Sequence, residues 1–182
     1  MQVFYTKFSD YEALPECPLS KYRKNKISNI KNPEIFKKQI ITEFFLLKCL
    51  ISLDPDLRRP LDISVSDNGK PYIEGFKYRF SISHSDDLLM IAIDENEIGI
   101  DCQKTVEKEK YLKICNRYFS NEEKNYITDE DSFTEIWTKK EAYAKMHGIS
   151  VFDVLSENIM KYKIEHTKFE NYHVSISVLK MD

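Results

Sequence analysis

The pattern of the chain predicts an α+β protein. Three observations carry that expectation. A long segment with helical apolar spacing runs from Pro33 to Leu53, strand-like runs occupy residues 78–101, and three helix candidates followed by two further alternating runs fill the second half. Helices and strands therefore occur on both sides of residue 96. Residues 1–96 and 97–182 are expected as two α+β halves of one chain.

The elements follow in order. Residues 2–6 read as a short strand, and residues 10–20, with Pro15 and Pro18, as loop. Residues 21–31 are basic. Asn32 is placed to cap a helix, with Pro33 at its first position and Glu34 behind it. Phe36, Ile40, Phe44, Leu47 and Ile51 repeat at helical spacing and form the expected buried face. Asp54-Pro55 ends the helix. Residues 61–69 read as loop or short strand up to a turn at Asn68-Gly69. Residues 78–83 alternate as a strand does, and residues 88–93 form a continuous apolar run that suits a buried strand. A polar turn from Asp94 to Glu97 leads into a strand from Ile98 to Asp101, which predicts a hairpin.

A helix is expected over about residues 105–118. Ser120 and Glu123 have the spacing of a capping box, as do Ser132 and Glu135. The first opens a short helix and the second a helix running to Met146, with Gly148 as its C′ residue. Residues 161–166 and 172–179 alternate, with Tyr172, Val174, Ile176 and Val178 on one face, and read as a closing hairpin.

Composition excludes several functions. A net charge of −3 speaks against bulk nucleic-acid binding. No stretch approaches the ~20 apolar residues of a membrane helix, and the N-terminal segment lacks the basic-then-apolar order of a signal peptide. Cys17, Cys49, Cys102 and Cys115 form no CxxC pair. They read as reduced thiols of a cytoplasmic protein, and no zinc site is expected from them.

Three local features carry chemistry. Asp101 ends a strand beside Gly99; it suits a metal ligand, or simply a strand-ending turn. Trp137, Glu141 and Lys145 share one helix face; Glu141 suits a cation ligand or base and Lys145 a phosphate contact, or the two form a surface ion pair. Trp137 reads as core. Ser83-His84-Ser85 ends a strand in donor groups; His84 suits a phosphate or a backbone carbonyl. A Ser-His hydrolase is not indicated, because no GxSxG elbow exists and adjacent strand residues face opposite ways.

The order Gly69-Lys70-Pro71, Phe80 to Ser85, Ile98-Gly99-Ile100-Asp101, Arg117-Tyr118-Phe119-Ser120 with Glu123, and Trp137 to Lys145 resembles the surfactin-type 4′-phosphopantetheinyl transferase family. The likeness is close over residues 69–148 and weaker before them. It implies transfer of the phosphopantetheine arm of coenzyme A to a serine of an apo acyl or peptidyl carrier protein, releasing adenosine 3′,5′-bisphosphate. It further implies two similar α+β halves with the active site between them, in a monomer. By position, Asp101 and Glu141 resemble the magnesium ligands, and Glu141 also a base for the carrier serine. Lys145 resembles the lysine near the reacting phosphate. Lys70, Ser83 and His84 resemble residues that hold the nucleotide and its phosphates. Arg23 and Lys26 sit where the family has cations for the 3′-phosphate, with Lys38 a further candidate; a solvated basic face is the other reading.

One position departs from the family pattern. A second acidic residue is common two after the aspartate, and here Gln103 stands there. Its carbonyl oxygen suits a metal or a metal-bound water but adds no charge, so weaker Mg²⁺ binding is expected. Two other functions compete with the transferase. One is a non-catalytic protein on the same fold that binds coenzyme A or a carrier. The other is a nucleic-acid module built on residues 21–38.

Overall fold

The computed structural model describes residues 1–179, so the last three residues of the second expected half lie outside the described residues. Local sequence explains most elements. Asn32 caps α2 (Pro33–Leu53), its side chain accepting from Glu34 N and Ile35 N. Those two amides belong to the first turn and have no intrahelical partner. The helix buries the expected Ile40 and Leu47 together with Ile41, Leu46 and Leu50, while the expected Phe36, Phe44 and Ile51 are half-buried. The basic segment contains a short helix, α1 (Lys21–Ile27), capped by Ser20.

Two three-stranded antiparallel sheets form the centre. The first joins β1 (Gln2–Lys7), β4 (Arg79–Ser85) and β5 (Leu88–Asp94) in the order β1-β5-β4. The second joins β6 (Ile98–Lys104), β7 (Glu165–Phe169) and β8 (Tyr172–Val178) in the order β6-β8-β7. A small ribbon pairs β2 (Ile63–Val65) with β3 (Pro71–Ile73).

Packing follows from strand alternation. Phe80, Ile91 and Ile93 meet Leu46, Leu47 and Leu50 of α2 on one face of the first sheet. Leu88, Met90 and Ala92 point from its other face onto Ile98, Ile100, Cys102, Tyr172 and Val174 of the second sheet. Each such aliphatic side chain, fully buried, contributes about 1.5–3 kcal/mol. On the far side of the second sheet lies α5 (Glu130–His147). Its outer face packs with α3 (Lys108–Tyr118), α4 (Asn121–Tyr126) and the turns at 151–154 and 159–161 through Phe119, Phe133, Ile136 and Ile159. A buried ion pair, Lys140 Nζ to Glu123 Oε1 at 2.7 Å, ties α5 to α4. No helix among the described residues is long and apolar enough to cross a membrane.

Several expectations need correction. β6 is not the return strand of a hairpin with β5. Both edges of β5 are already taken by β1 and β4, so the chain turns at 95–97 into the other sheet, where β6 pairs with β8. The helix α5 begins at Glu130, not after Ser132. Asp129 is its cap, accepting from Ser132 N at 2.8 Å, and Ser132 takes the third position of the box. α3 starts three residues later than expected, at Lys108. The first strand of the closing hairpin is displaced to Glu165–Phe169, because residues 159–161 form a 3-10 turn capped by Asn158.

Candidate active site

A glycine sets the closest approach in the protein. A Cβ added to Gly99 of β6 would lie 1.9 Å from Ala142 O and 2.4 Å from Met146 N, both backbone atoms of α5. Only hydrogen at this position lets the helix lie flat on the strand. Small polar side chains line the same interface: Thr138 Oγ1 meets Ser175 Oγ at 2.8 Å, and Ser177 Oγ meets Met146 Sδ at 3.2 Å. Gly148 then ends α5 in the left-handed conformation, with φ of 64°.

Asp101 lies two residues beyond Gly99, so alternation puts it on the same face, towards α5. It is 3% exposed. Its Oδ1 accepts from Ser83 Oγ at 2.8 Å and from Lys145 Nζ at 2.7 Å. Its Oδ2 is the one buried side-chain polar atom without a hydrogen-bond partner among the described residues. A buried orphan carboxylate oxygen is costly unless something positive completes it.

Glu141, one helical turn before Lys145, supplies a second carboxylate. Burial pushes its pKa above the usual value, the Asp101 carboxylate adds to that, and Lys145 opposes. A carboxylate with an orphan oxygen and a second carboxylate whose proton affinity it raises suit a hard divalent cation such as Mg²⁺. Gln103 is on the Asp101 face of β6, half-buried and opposite His173 on β8. Trp137 does not join this group; its ring stacks on Phe133, 6.1 Å between centroids.

A cavity of about 310 Å³ opens beside these residues, lined among others by Tyr22, Arg23, Lys26, Lys70, His84 and Lys145. The structure therefore gathers Arg23, Lys26, Lys70 and His84, four of the five residues expected to hold the nucleotide and its phosphates, at one cavity with Lys145, although they come from α1, the β2–β3 turn, β4 and α5. Their charges are not equally free. Arg23 is 2% exposed, and its guanidinium is held by Glu43 at 3.2 Å and by Gln39. Lys70 Nζ bonds Glu97 at 2.5 Å, Met146 O at 2.7 Å and Ile98 O at 3.2 Å, so it ties one end carbonyl of α5 to the start of β6 while the residue lines the cavity. Burial holds its pKa below the usual lysine value, with Glu97 opposing. Lys26 is exposed, and Lys38 donates to Asp86 O at 2.5 Å. Burial, then the ammonium groups of Lys145, Lys38 and Lys26, push the His84 pKa down, so its ring is neutral in a cationic setting.

Ser83, expected among the residues that hold the nucleotide, does not line this cavity; it is buried and bonds Asp101, Lys145 Nζ at 3.1 Å and Cys102 N at 3.1 Å. Sequence reasoning named Ser81 and Ser85 within the motif but gave them no task, and it missed Glu43 and Gln39. The spacing Ser-x-Ser-x-Ser was a readable signal for the serines. Glu43 had no local signal, since an acidic residue in the middle of a helix usually faces water.

Residues 97–178, from β6 through β8, match the family model described as the 4′-phosphopantetheinyl transferase superfamily. The chain is 33% identical to the 4′-phosphopantetheinyl transferase Sfp of Bacillus subtilis over 111 residues, covering 57% of this chain and 49% of that protein. It is 28% identical to the 4′-phosphopantetheinyl transferase gsp of Aneurinibacillus migulanus, covering 63% and 50%. Against the 4′-phosphopantetheinyl transferase AcpT of Escherichia coli K12 it is 27% identical, covering 63% and 65%. The chain thus spans about half to just under two thirds of the length of these relatives.

Proposed function

We propose that the chain is a Mg²⁺-dependent 4′-phosphopantetheinyl transferase. It moves the phosphopantetheine arm of coenzyme A onto a serine of an apo acyl or peptidyl carrier protein and releases adenosine 3′,5′-bisphosphate. The observation that carries this reading is the orphan Oδ2 of Asp101, whose other oxygen bonds Lys145, a residue of the wall of a cavity lined by further cations. Relatives bearing the transferase name and the family match over 97–178 support it.

The reading gives each residue a task. Lys26, His84 and Lys145 hold phosphate oxygens in the cavity, and Arg23, braced by Glu43, supplies a fixed positive wall. Asp101 and Glu141 are the residues that would hold Mg²⁺, with Gln103 as a neutral third donor. The ion, when bound, offsets charge on the pyrophosphate and its leaving group. Glu141, whose proton affinity is raised by burial and by Asp101, takes the proton of the carrier serine, directly or through water. The serine oxygen forms a bond to phosphorus as the bond from that phosphorus to the departing nucleotide bisphosphate breaks. Lys145 stabilises the charge that accumulates there.

The same proposal includes the two-half arrangement, 1–96 and 97–182. Its support is that α2 covers β1-β5-β4 and α5 covers β6-β8-β7. It also includes a monomer acting in the cytoplasm, in keeping with four free cysteines. A non-catalytic binder of coenzyme A would have no use for the paired carboxylates. The test is release of adenosine 3′,5′-bisphosphate from coenzyme A. It should require an apo carrier and Mg²⁺, and stop when the carrier serine is replaced by alanine. Coenzyme A binding without such release would support the binder instead.

A further inference from the structure

β4 and β6 are edge strands of different sheets that face each other across the middle of the protein. An edge strand presents an unpaired N–H at every second residue. On β6 these belong to Ile100, Cys102 and Lys104. Each is met by a serine hydroxyl of β4: Ile100 N donates to Ser81 Oγ at 3.1 Å, Cys102 N to Ser83 Oγ at 3.1 Å, and Lys104 N to Ser85 Oγ at 3.4 Å. Both strands advance by two residues per bond, at a constant offset of 19. A ladder of side-chain hydroxyls thus replaces the backbone ladder and joins the two sheets without merging them.

Ser83 differs from its two neighbours. Besides accepting from Cys102 N, it donates to Asp101 Oδ1 at 2.8 Å and accepts from Lys145 Nζ at 3.1 Å. A serine hydroxyl has one proton to donate and two lone pairs. All three are in use, so nothing is left for a phosphate oxygen. The bond to Oδ1 also fixes the rotation of the carboxylate and leaves the buried Oδ2 as its unpartnered oxygen.

We propose that Ser83 is a positioning residue for the Asp101 carboxylate and not a phosphate ligand, and that the Ser81-Ser83-Ser85 ladder sets the seam at which that carboxylate is presented. The inference rests on the reading of Asp101 as a cation-holding residue. It explains why serine recurs at every second position: only the middle one bonds the Asp101 carboxylate, and the outer two keep the register.

The test uses Mn²⁺ bound to the full chain without substrates, measured by electron paramagnetic resonance, with thermal unfolding recorded in parallel. Ser83→Ala should weaken Mn²⁺ binding about tenfold, as loss of a partner that orients a metal ligand does. Ser83→Cys, which keeps the shape but donates poorly, should weaken it as well, and covers the case in which the alanine variant does not fold. Ser83→Thr should restore it. Ser81→Ala loses the equivalent seam bond but touches no carboxylate, so it should lower the melting temperature and leave Mn²⁺ affinity alone. If Ser83→Ala and Ser83→Cys bind Mn²⁺ as tightly as the parent while Asp101→Asn does not bind it, the positioning role is overturned and the reading of Asp101 stands. If Asp101→Asn also binds normally, that reading falls and takes the positioning role with it.

Discussion

Lys145 Nζ lies 2.7 Å from Asp101 Oδ1, while Oδ2 of the same carboxylate is buried without a partner. One carboxylate therefore has one oxygen held by an ammonium and the other unsatisfied. In the proposed function Oδ2 would serve a divalent ion, and Lys145 the phosphates.

Lys145→Ala should separate the two roles. Loss of one preorganised charge at the reacting group costs roughly 100-fold in kcat. Mn²⁺ affinity should hold or rise, because a positive charge is removed from beside the site. A parallel loss of metal binding and rate would show that Lys145 supports the carboxylate and not the chemistry.

Gly99→Ala should destabilise the fold by about 3 kcal/mol or more. The added Cβ would strike Ala142 O and Met146 N, and backbone atoms cannot rotate aside. Urea unfolding followed by Trp137 fluorescence would measure the cost. The folded fraction should also lose activity, since Glu141 and Lys145 ride on the displaced helix.

Gln103→Glu restores the acidic residue that the family pattern carries. A third carboxylate on the same face of β6 should reduce the Mg²⁺ concentration needed for half-maximal rate about 3- to 10-fold. Titrating Mg²⁺ in both variants checks this. An unchanged Mg²⁺ dependence would show that position 103 does not tune the metal.

His166 governs part of the acid stability. Its ring faces Ser175 and His173, with Glu135 and Lys139 of α5, Asp131 of α5 and Lys168 of β7 around it. Burial, more than any neighbour, pushes its pKa from 6.5 down to about 4. Between those values the unfolded chain binds a proton that the folded chain does not, so stability is complete above pH 6.5 and is lost as pH falls towards 4. The urea midpoint of the parent should drop across that window. His166→Gln should flatten the drop, and an equal slope in both would contradict the assignment.

How much of this was legible in the sequence depended on the range of each signal. α2 was readable to the residue, because Asn32-Pro33 and Asp54-Pro55 are local stops. That Glu141 and Lys145 share a helix face was readable from their spacing, but their meeting with Asp101 across the two elements was not. The placement of β6 was not readable. Local alternation says that Ile98–Asp101 is a strand but cannot say that both edges of β5 are already occupied. The start of α5 was misread because Asp129 and Ser132 both have capping chemistry, and only the backbone decides which one stands outside the helix. The commitments of Lys70 to Glu97 and of Arg23 to Glu43 span 27 and 20 positions, and no local pattern shows them.

The most direct test of the transferase reading is the intact mass of an apo carrier protein after incubation with the chain, coenzyme A and Mg²⁺. The expected result is a gain equal to the phosphopantetheine arm, abolished by chelator and by Glu141→Gln. An unchanged carrier mass across several unrelated apo carriers, with coenzyme A demonstrably bound, would contradict it.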